Sequence, residues 1–319
     1  MKVLIWHVHG SWMTSFVAGP DEYLVPVLPG RGPDGRGRAQ TWRWPDSVRE
    51  VDPVRLADED IDVVVLQRPG DLDLFRDWTG RRAGQDLPAV FVEHNAPIGP
   101  AASTVHPLAG RDDIVLVHVT AYNALMWDNG RAPVTVIEHG IPDPGHRYTG
   151  HLARVAAVVN EPVRRRRVAG TDILLRVAAE LPVEVFGMGV EELAGPAPAL
   201  RDHLYDNPPQ QLMHLTLGAA RVYLHPYRWT SLGLSLIEAM TLGMPVLAVD
   251  STAAHDAVPE CAGVVSADPQ VLIDTGRRWL ADPDQARRVG TTARRHALQR
   301  FGLTRFLADW QALLKEVTR

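Results

Sequence analysis

Residues 221–250, RVYLHPYRWTSLGLSLIEAMTLGMPVLAVD, constrain the chain more than any other stretch. Val222, Tyr223 and Leu224 form an apolar run rich in β-formers, and His225-Pro226 ends it, because proline has no N–H for a central ladder. Thr230 and Ser231 stand where helix N-caps stand, before an apolar-periodic segment. Residues 233–242 predict a helix with Leu236, Ala239 and Met240 toward the core, stopped by Gly243. Residues 245–249 are the next buried strand. A helix crossing between two strands makes them parallel, so the stretch predicts an α/β unit.

Glu238 is the residue that packing does not account for. It sits between Ile237 and Ala239, one turn past Leu234. A carboxylate there can reach the loop at the carboxyl end of the preceding strand, where open α/β sheets bind ligands. The helix start offers N–H groups and partial positive charge to a phosphate. An anion site beside an acceptor for hydroxyls describes a nucleotide-sugar pocket. The alternative is a solvated helix carboxylate, and the residues alone leave both open.

The stretch resembles the donor-binding signature of the family-4 retaining glycosyltransferases, whose fold is GT-B. That signature runs Glu-Gly-Phe-Gly-Leu-x-x-x-Glu-Ala-Met and then Gly-x-Pro-Val. Here it reads Thr230-Ser231-Leu232-Gly233-Leu234-Ser235-Leu236-Ile237-Glu238-Ala239-Met240, then Gly243-Met244-Pro245-Val246. The resemblance implies that Glu238 binds the ribose hydroxyls of the donor nucleotide. It implies that Thr230, Ser231, Leu232 and the amides around Gly233 and Leu234 meet the diphosphate and sugar. The family's first Glu contacts the sugar near the anomeric centre, and its place is taken by Thr230, which is shorter and neutral.

At 319 residues the chain has room for two domains of ordinary size. No apolar run approaches the roughly 20 residues of a membrane span, and the N-terminus reads as a first strand, not a signal peptide. Cys261 is the single cysteine, so no intrachain disulfide is possible, which fits a reducing cytoplasm. Lysine occurs only at positions 2 and 315, and arginine supplies the rest of the 33 cations. That skew points to a high-GC bacterium, an actinobacterial type. Residues 1–145 carry 13 Lys and Arg against 20 Asp and Glu, and residues 146–319 carry 20 against 18. A net-acidic first half argues against nucleic acid and against anionic lipid as partners.

Buried strands alternate with helical stretches along the first half, at residues 3–6, 23–28, 63–66, 89–93, 114–118 and 134–137. This is the pattern of a doubly wound parallel sheet. Residues 30–38, GRGPDGRGR, read as a mobile loop, and Trp42 and Trp44 as packing residues. Two prolines and a glycine in residues 141–145 mark a linker. A second βα series follows. The expected division is residues 1–141, a Rossmann-like acceptor-side domain, and residues 142–302, a Rossmann-like donor domain. Helix 303–319 returns to the first domain, as the last helix does in GT-B proteins. Phe306, Trp310 and Leu314 lie four apart on one of its faces.

Four arginines, residues 164–167, precede Gly170-Thr171-Asp172. They form either a diphosphate clamp that neutralises the leaving nucleotide or a solvated basic turn. Family-4 enzymes carry an Arg and a Lys here, the Lys directly before a glycine. Ala169 holds that Lys position, so the resemblance implies a nearby arginine: Arg167 first, Arg165 or Arg164 next. His94 and Asn95 follow a strand of the first domain, where the family often has a His. A neutral His hydrogen-bonds a sugar hydroxyl or shuttles a proton. Gly10-Ser11 follows the first strand, where the family has a Gly-rich loop, and Gly187 is placed to line the nucleotide base.

Asp71-Leu72-Asp73 spells the metal-binding motif of another glycosyltransferase fold, but it opens a helix after Pro69-Gly70, where Asp is an ordinary first-turn residue. No metal and no cofactor are expected. The resemblance implies transfer of a sugar from a UDP- or GDP-linked donor to a small acceptor, with His94 and Arg167 as catalytic residues and Gly10, Ser11 and Asn95 facing the acceptor. Two alternatives stay open. One is other GT-B chemistry, such as nucleotide-sugar 2-epimerisation. The other is a non-catalytic nucleotide-sugar-binding relative, which Thr230 and Ala169 suggest.

Overall fold

Val63–Leu66 is four apolar residues, all buried, and that pattern belongs to the middle of a parallel sheet covered on both faces. The computed structural model, which describes residues 1–319, has that arrangement twice. The chain divides into one unit of residues 1–142 with 303–319 and another of residues 143–302. The division falls inside the Pro- and Gly-rich stretch 141–145.

The first unit carries β1 (Lys2–Ile5), β2 (Glu22–Pro26), β3 (Val48–Val51), β4 (Val63–Leu66), β5 (Ala89–Glu93), β6 (Val115–His118) and β7 (Val134–Val136). All pair in parallel, in the order β3-β2-β1-β4-β5-β6-β7, with Val3 opposite Val63. Side chains alternate across the sheet. Val3, Ile5, Val63 and Val65 join a cluster with Trp12, Phe16 and the final helix, Leu303–Val317. Leu4, Val64 and Leu66 join another with Phe75 and Phe91. The returning helix buries Phe306, Trp310 and Leu314 in the first of these.

The second unit carries β8 (Leu152–Val158), β9 (Val183–Gly187), β10 (Leu204–Asp206), β11 (Ala220–His225), β12 (Val246–Val249) and β13 (Gly263–Ser266). Their order, β10-β9-β8-β11-β12-β13, repeats the winding of the first unit, again wholly parallel. Strand order therefore reverses beside β1 and β4 in one unit and beside β8 and β11 in the other. Crevices for ligands open at such points, outside the carboxyl ends of the strands.

Three local expectations are corrected. Residues 30–38 are not a loose loop. Arg31 pairs with Glu50 at 2.8 Å, Arg38 donates to the carbonyl of Trp44 at 2.7 Å, and His7 Nδ1 bonds the Gly37 carbonyl at 3.0 Å. Arginines read as generic loop residues supply two of those ties, and His7 the third. Thr230 and Ser231 do not cap the helix Leu234–Leu242; Gly233 is its N-cap and no side chain caps it. Strands β3 and β10 lie at sheet edges and escaped the sequence reading, because charged residues interrupt the apolar positions of β3 and β10 is only three residues long.

Candidate functional site

At the carboxyl end of the second sheet, several of the expected residues meet. The chain leaves β8 at Asn160, whose amide Oδ1 accepts from Met188 N at 3.0 Å, just past β9. Asn160 N in turn donates to the Tyr227 hydroxyl at 3.3 Å, just past β11. Gly187 ends β9 at φ +133°, and a Cβ there would stand 2.4 Å from the Val159 carbonyl. Arg165 lies over the Tyr227 ring, 5.4 Å from its centroid. The Tyr227 ring lies 4.9 Å from that of His225. A Cβ on Gly233 would stand 2.4 Å from His225 Cε1, so glycine is what lets the helix start settle on the imidazole. Burial lowers the His225 pKa to about 3, and its Nδ1 has no hydrogen-bond partner. Leu234 and Thr230 are half-buried, and Ser231 and Leu232 are buried.

The four arginines separate. Arg164 pairs with Glu161, and Arg167, 76% exposed, pairs with Asp172 at 3.3 Å. Arg228 holds the same carboxylate, its Nη2 2.7 Å from Asp172 Oδ2. Arg165 alone of the run is half-buried, so the structure turns it, not Arg167, toward the loop after β11. Ala169 is wholly buried in the core of this unit.

Glu238 is not a solvated helix residue. It is 8% exposed. Gln210 Nε2 donates to its Oε1 at 3.3 Å, and His214 Nε2 lies 3.7 Å from its Oε2. Tyr223 is buried beside it, its hydroxyl without a hydrogen-bond partner, and burial raises the phenol's pKa. Tyr227, Asn160, Gln210 and His214 were not foreseen. No short-range motif marks them, because they reach the site from three separate places, the loops after β8 and β11 and the helix Gln210–Ala219.

In the first unit His94 follows β5 and is 7% exposed. Gln67 Nε2 donates to the Trp6 carbonyl at 2.6 Å, which leaves its Oε1 to accept from His94 Nε2–H at 3.0 Å. The His9 ring is 4.1 Å away and the Trp12 ring 4.9 Å. Burial, then His9 and His139, hold the His94 pKa well below the usual imidazole range. His94 is therefore a neutral hydrogen-bonding group, and of its two expected roles proton transfer is the one this environment opposes. Gly10 opens a seven-residue helix, Gly10–Phe16, with Trp42 seated so closely that a Cβ would meet its ring at 2.3 Å. Ser11 is half-buried and Asn95 exposed; the Asn95 carbonyl accepts from Trp127 Nε1 at 2.9 Å.

Asp71 and Asp73 do not converge. Asp71 is wholly buried and accepts from the amides of Gln67 and Arg68, both at 2.9 Å, while Asp73 is 68% exposed and pairs with Arg76. No group of three or more His, Cys, Asp or Glu side chains is placed to hold a metal ion.

Residues 203–296 match the family model described as glycosyl transferases group 1. Sucrose-phosphate synthase from Thermosynechococcus elongatus superposes with a TM-score of 0.72 at 13% identity, over 99% of each chain. The fold is GT-B. HepE from Anabaena, solved in complex with UDP, gives 0.70 at 16% identity over 99% of this chain and 100% of its own. A glycosyltransferase from Rickettsia africae gives 0.71 at 11% identity, over 100% and 98%. No curated protein sequence matches. The matched stretch contains β11, the Gly233 helix start and Glu238. No helix is long and apolar enough to cross a membrane.

Proposed function

We propose that the protein is a metal-independent, retaining glycosyltransferase of family 4. It takes sugar from a UDP- or GDP-linked donor and passes it to a small soluble acceptor in the cytoplasm. Glu238 carries this reading. A carboxylate has about four lone-pair sites, and burying it is costly unless they are used. Glu238 is 8% exposed yet receives one long protein hydrogen bond. Two ribose hydroxyls are the donors such a group lacks. The uncapped helix start beside it suits the diphosphate, with Arg165, half-buried over Tyr227, as the candidate cation of the run. HepE, of the same fold, has been solved with UDP-glucose, which supports a UDP-sugar here.

The first unit would hold the acceptor near Gly10, Ser11, His94 and Asn95. No side chain is arranged as a covalent nucleophile. Catalysis would come from positioning and from stabilising charge on the leaving diphosphate, whose own oxygen takes the acceptor proton. A second reading, a nucleotide-sugar binder without turnover, is favoured by one observation: Ala169 lies in the core where the family has its lysine.

The test is a thermal-shift panel of UDP-, GDP- and ADP-sugars on wild type and Glu238→Ala. A ligand at about 100 times its dissociation constant stabilises by roughly 2.7 kcal/mol. A shift with one base that disappears in Glu238→Ala is expected. No shift with any nucleotide sugar would end the donor-site reading. Binding without transfer to any acceptor in a broad screen would favour the second.

A further inference from the structure

Glu238 is presented by the helix before it. Gln210–Ala219 places Gln210 and His214 four residues apart, on one face, and both side chains meet the same carboxylate. Gln210 takes Oε1 and His214 faces Oε2 at 3.7 Å. His214 is 9% exposed, and its Nε2 has no hydrogen-bond partner. Two lone pairs would repel each other across that gap, so the ring nitrogen facing the carboxylate is the one that carries hydrogen. At 3.7 Å the contact is longer than a hydrogen bond by well under an ångström. A small rotation of the carboxylate would close it.

Building on the assignment of Glu238 to the ribose, we infer that His214 is a positioning residue for nucleotide recognition. Its Nε2–H and the Gln210 amide hold one side of the carboxylate, which turns the remaining lone pairs toward the 2′- and 3′-hydroxyls of the bound nucleotide. Discrimination between ribose and deoxyribose then depends on a side chain that never touches the ligand. Affinity for the diphosphate does not. A histidine that merely filled the core would influence both equally.

The experiment has two arms. In the ligand-free protein, long-range ¹H–¹⁵N spectra should show His214 in its Nε2–H form, with a changed signal in Glu238→Gln. The Nδ1–H form would overturn the inference. In the second arm, calorimetry compares UDP and GDP with their 2′-deoxy and 3′-deoxy counterparts. Wild type should prefer the ribonucleotide by tenfold or more. His214→Phe should bring that preference close to unity while leaving deoxynucleotide affinity within about twofold, and His214→Gln, which keeps an N–H donor, should recover most of it. A full preference in His214→Phe, together with its loss in Glu238→Ala, would reject the role of His214 and leave that of Glu238 standing. A preference that survives Glu238→Ala would reject the ribose assignment itself.

Discussion

Gly187 shows how much a single position can demand. Its φ of +133° is open to glycine and almost nothing else, and a Cβ would stand 2.4 Å from the Val159 carbonyl, a backbone atom that cannot step aside. Gly187→Ala should therefore lose about 1–3 kcal/mol from backbone strain alone, with more from the displaced end of β8. Urea unfolding reads this directly, and a midpoint equal to wild type would refute it. The sequence marked Gly187 as a residue lining the nucleotide base but held no sign of this requirement. The contact is with a residue 28 positions earlier, and no local pattern records it. Glu238 behaves the same way. Its exceptional character was legible, because a charge sits inside an apolar helix. Its burial was not, because the residues that shield and orient it come from the helix before β11. The arginine run was legible as a feature, but Asp172 and Tyr227 determine which member turns inward.

Among the elements, the returning helix was the most legible. Phe306, Trp310 and Leu314 repeat at the helical period, and they lie 0%, 2% and 1% exposed in the first unit's core. Trp310 meets Trp12 and Phe16 nearly edge-on, at centroid separations of 5.6 and 5.0 Å. Truncating a buried tryptophan to alanine costs about 3–5 kcal/mol. Trp310→Ala should lower the unfolding transition of the first unit by that amount and leave the second unit's transition in place. Differential scanning calorimetry distinguishes the two; an equal drop in both transitions would mean the helix does not belong to the first unit alone. The central strands were legible for a related reason. Residues 63–66 need burial on both faces and can only be internal. The edges were not. Strand β3 reads Val-Arg-Glu-Val, with polar residues where an edge meets solvent, and such a run has no feature to separate it from a loop.

Over the whole molecule, the buried histidines set how stability should respond to pH. His139 in the first unit and His225 in the second both have their pKa lowered to about 3 by burial. Unfolded, each would titrate near 6.5. Between those values the unfolded chain holds more protons than the folded one, so stability rises with pH across the window and falls as the solution is acidified. The slope is at most about 1.4 kcal/mol per pH unit for each histidine. His94 adds to the slope of the first unit, since its pKa is also depressed by burial. Carboxylates paired with arginine, such as Asp172 with Arg228, have depressed values and lose their contribution only at lower pH. The interval from pH 6.5 to 5 therefore reads chiefly the imidazoles, with buried Asp71, whose pKa burial raises, acting in the opposite sense in the first unit. Urea titrations at pH 7.5, 6.5, 5.8 and 5 should show both units weakening below 6.5. His139→Phe should reduce the slope of the first unit, which keeps the contribution of His94, without altering that of the second. Stability that stays level down to pH 5 would mean these rings gain protons without leaving the fold, and the neutral, hydrogen-bonding role given to His94 would fall with them.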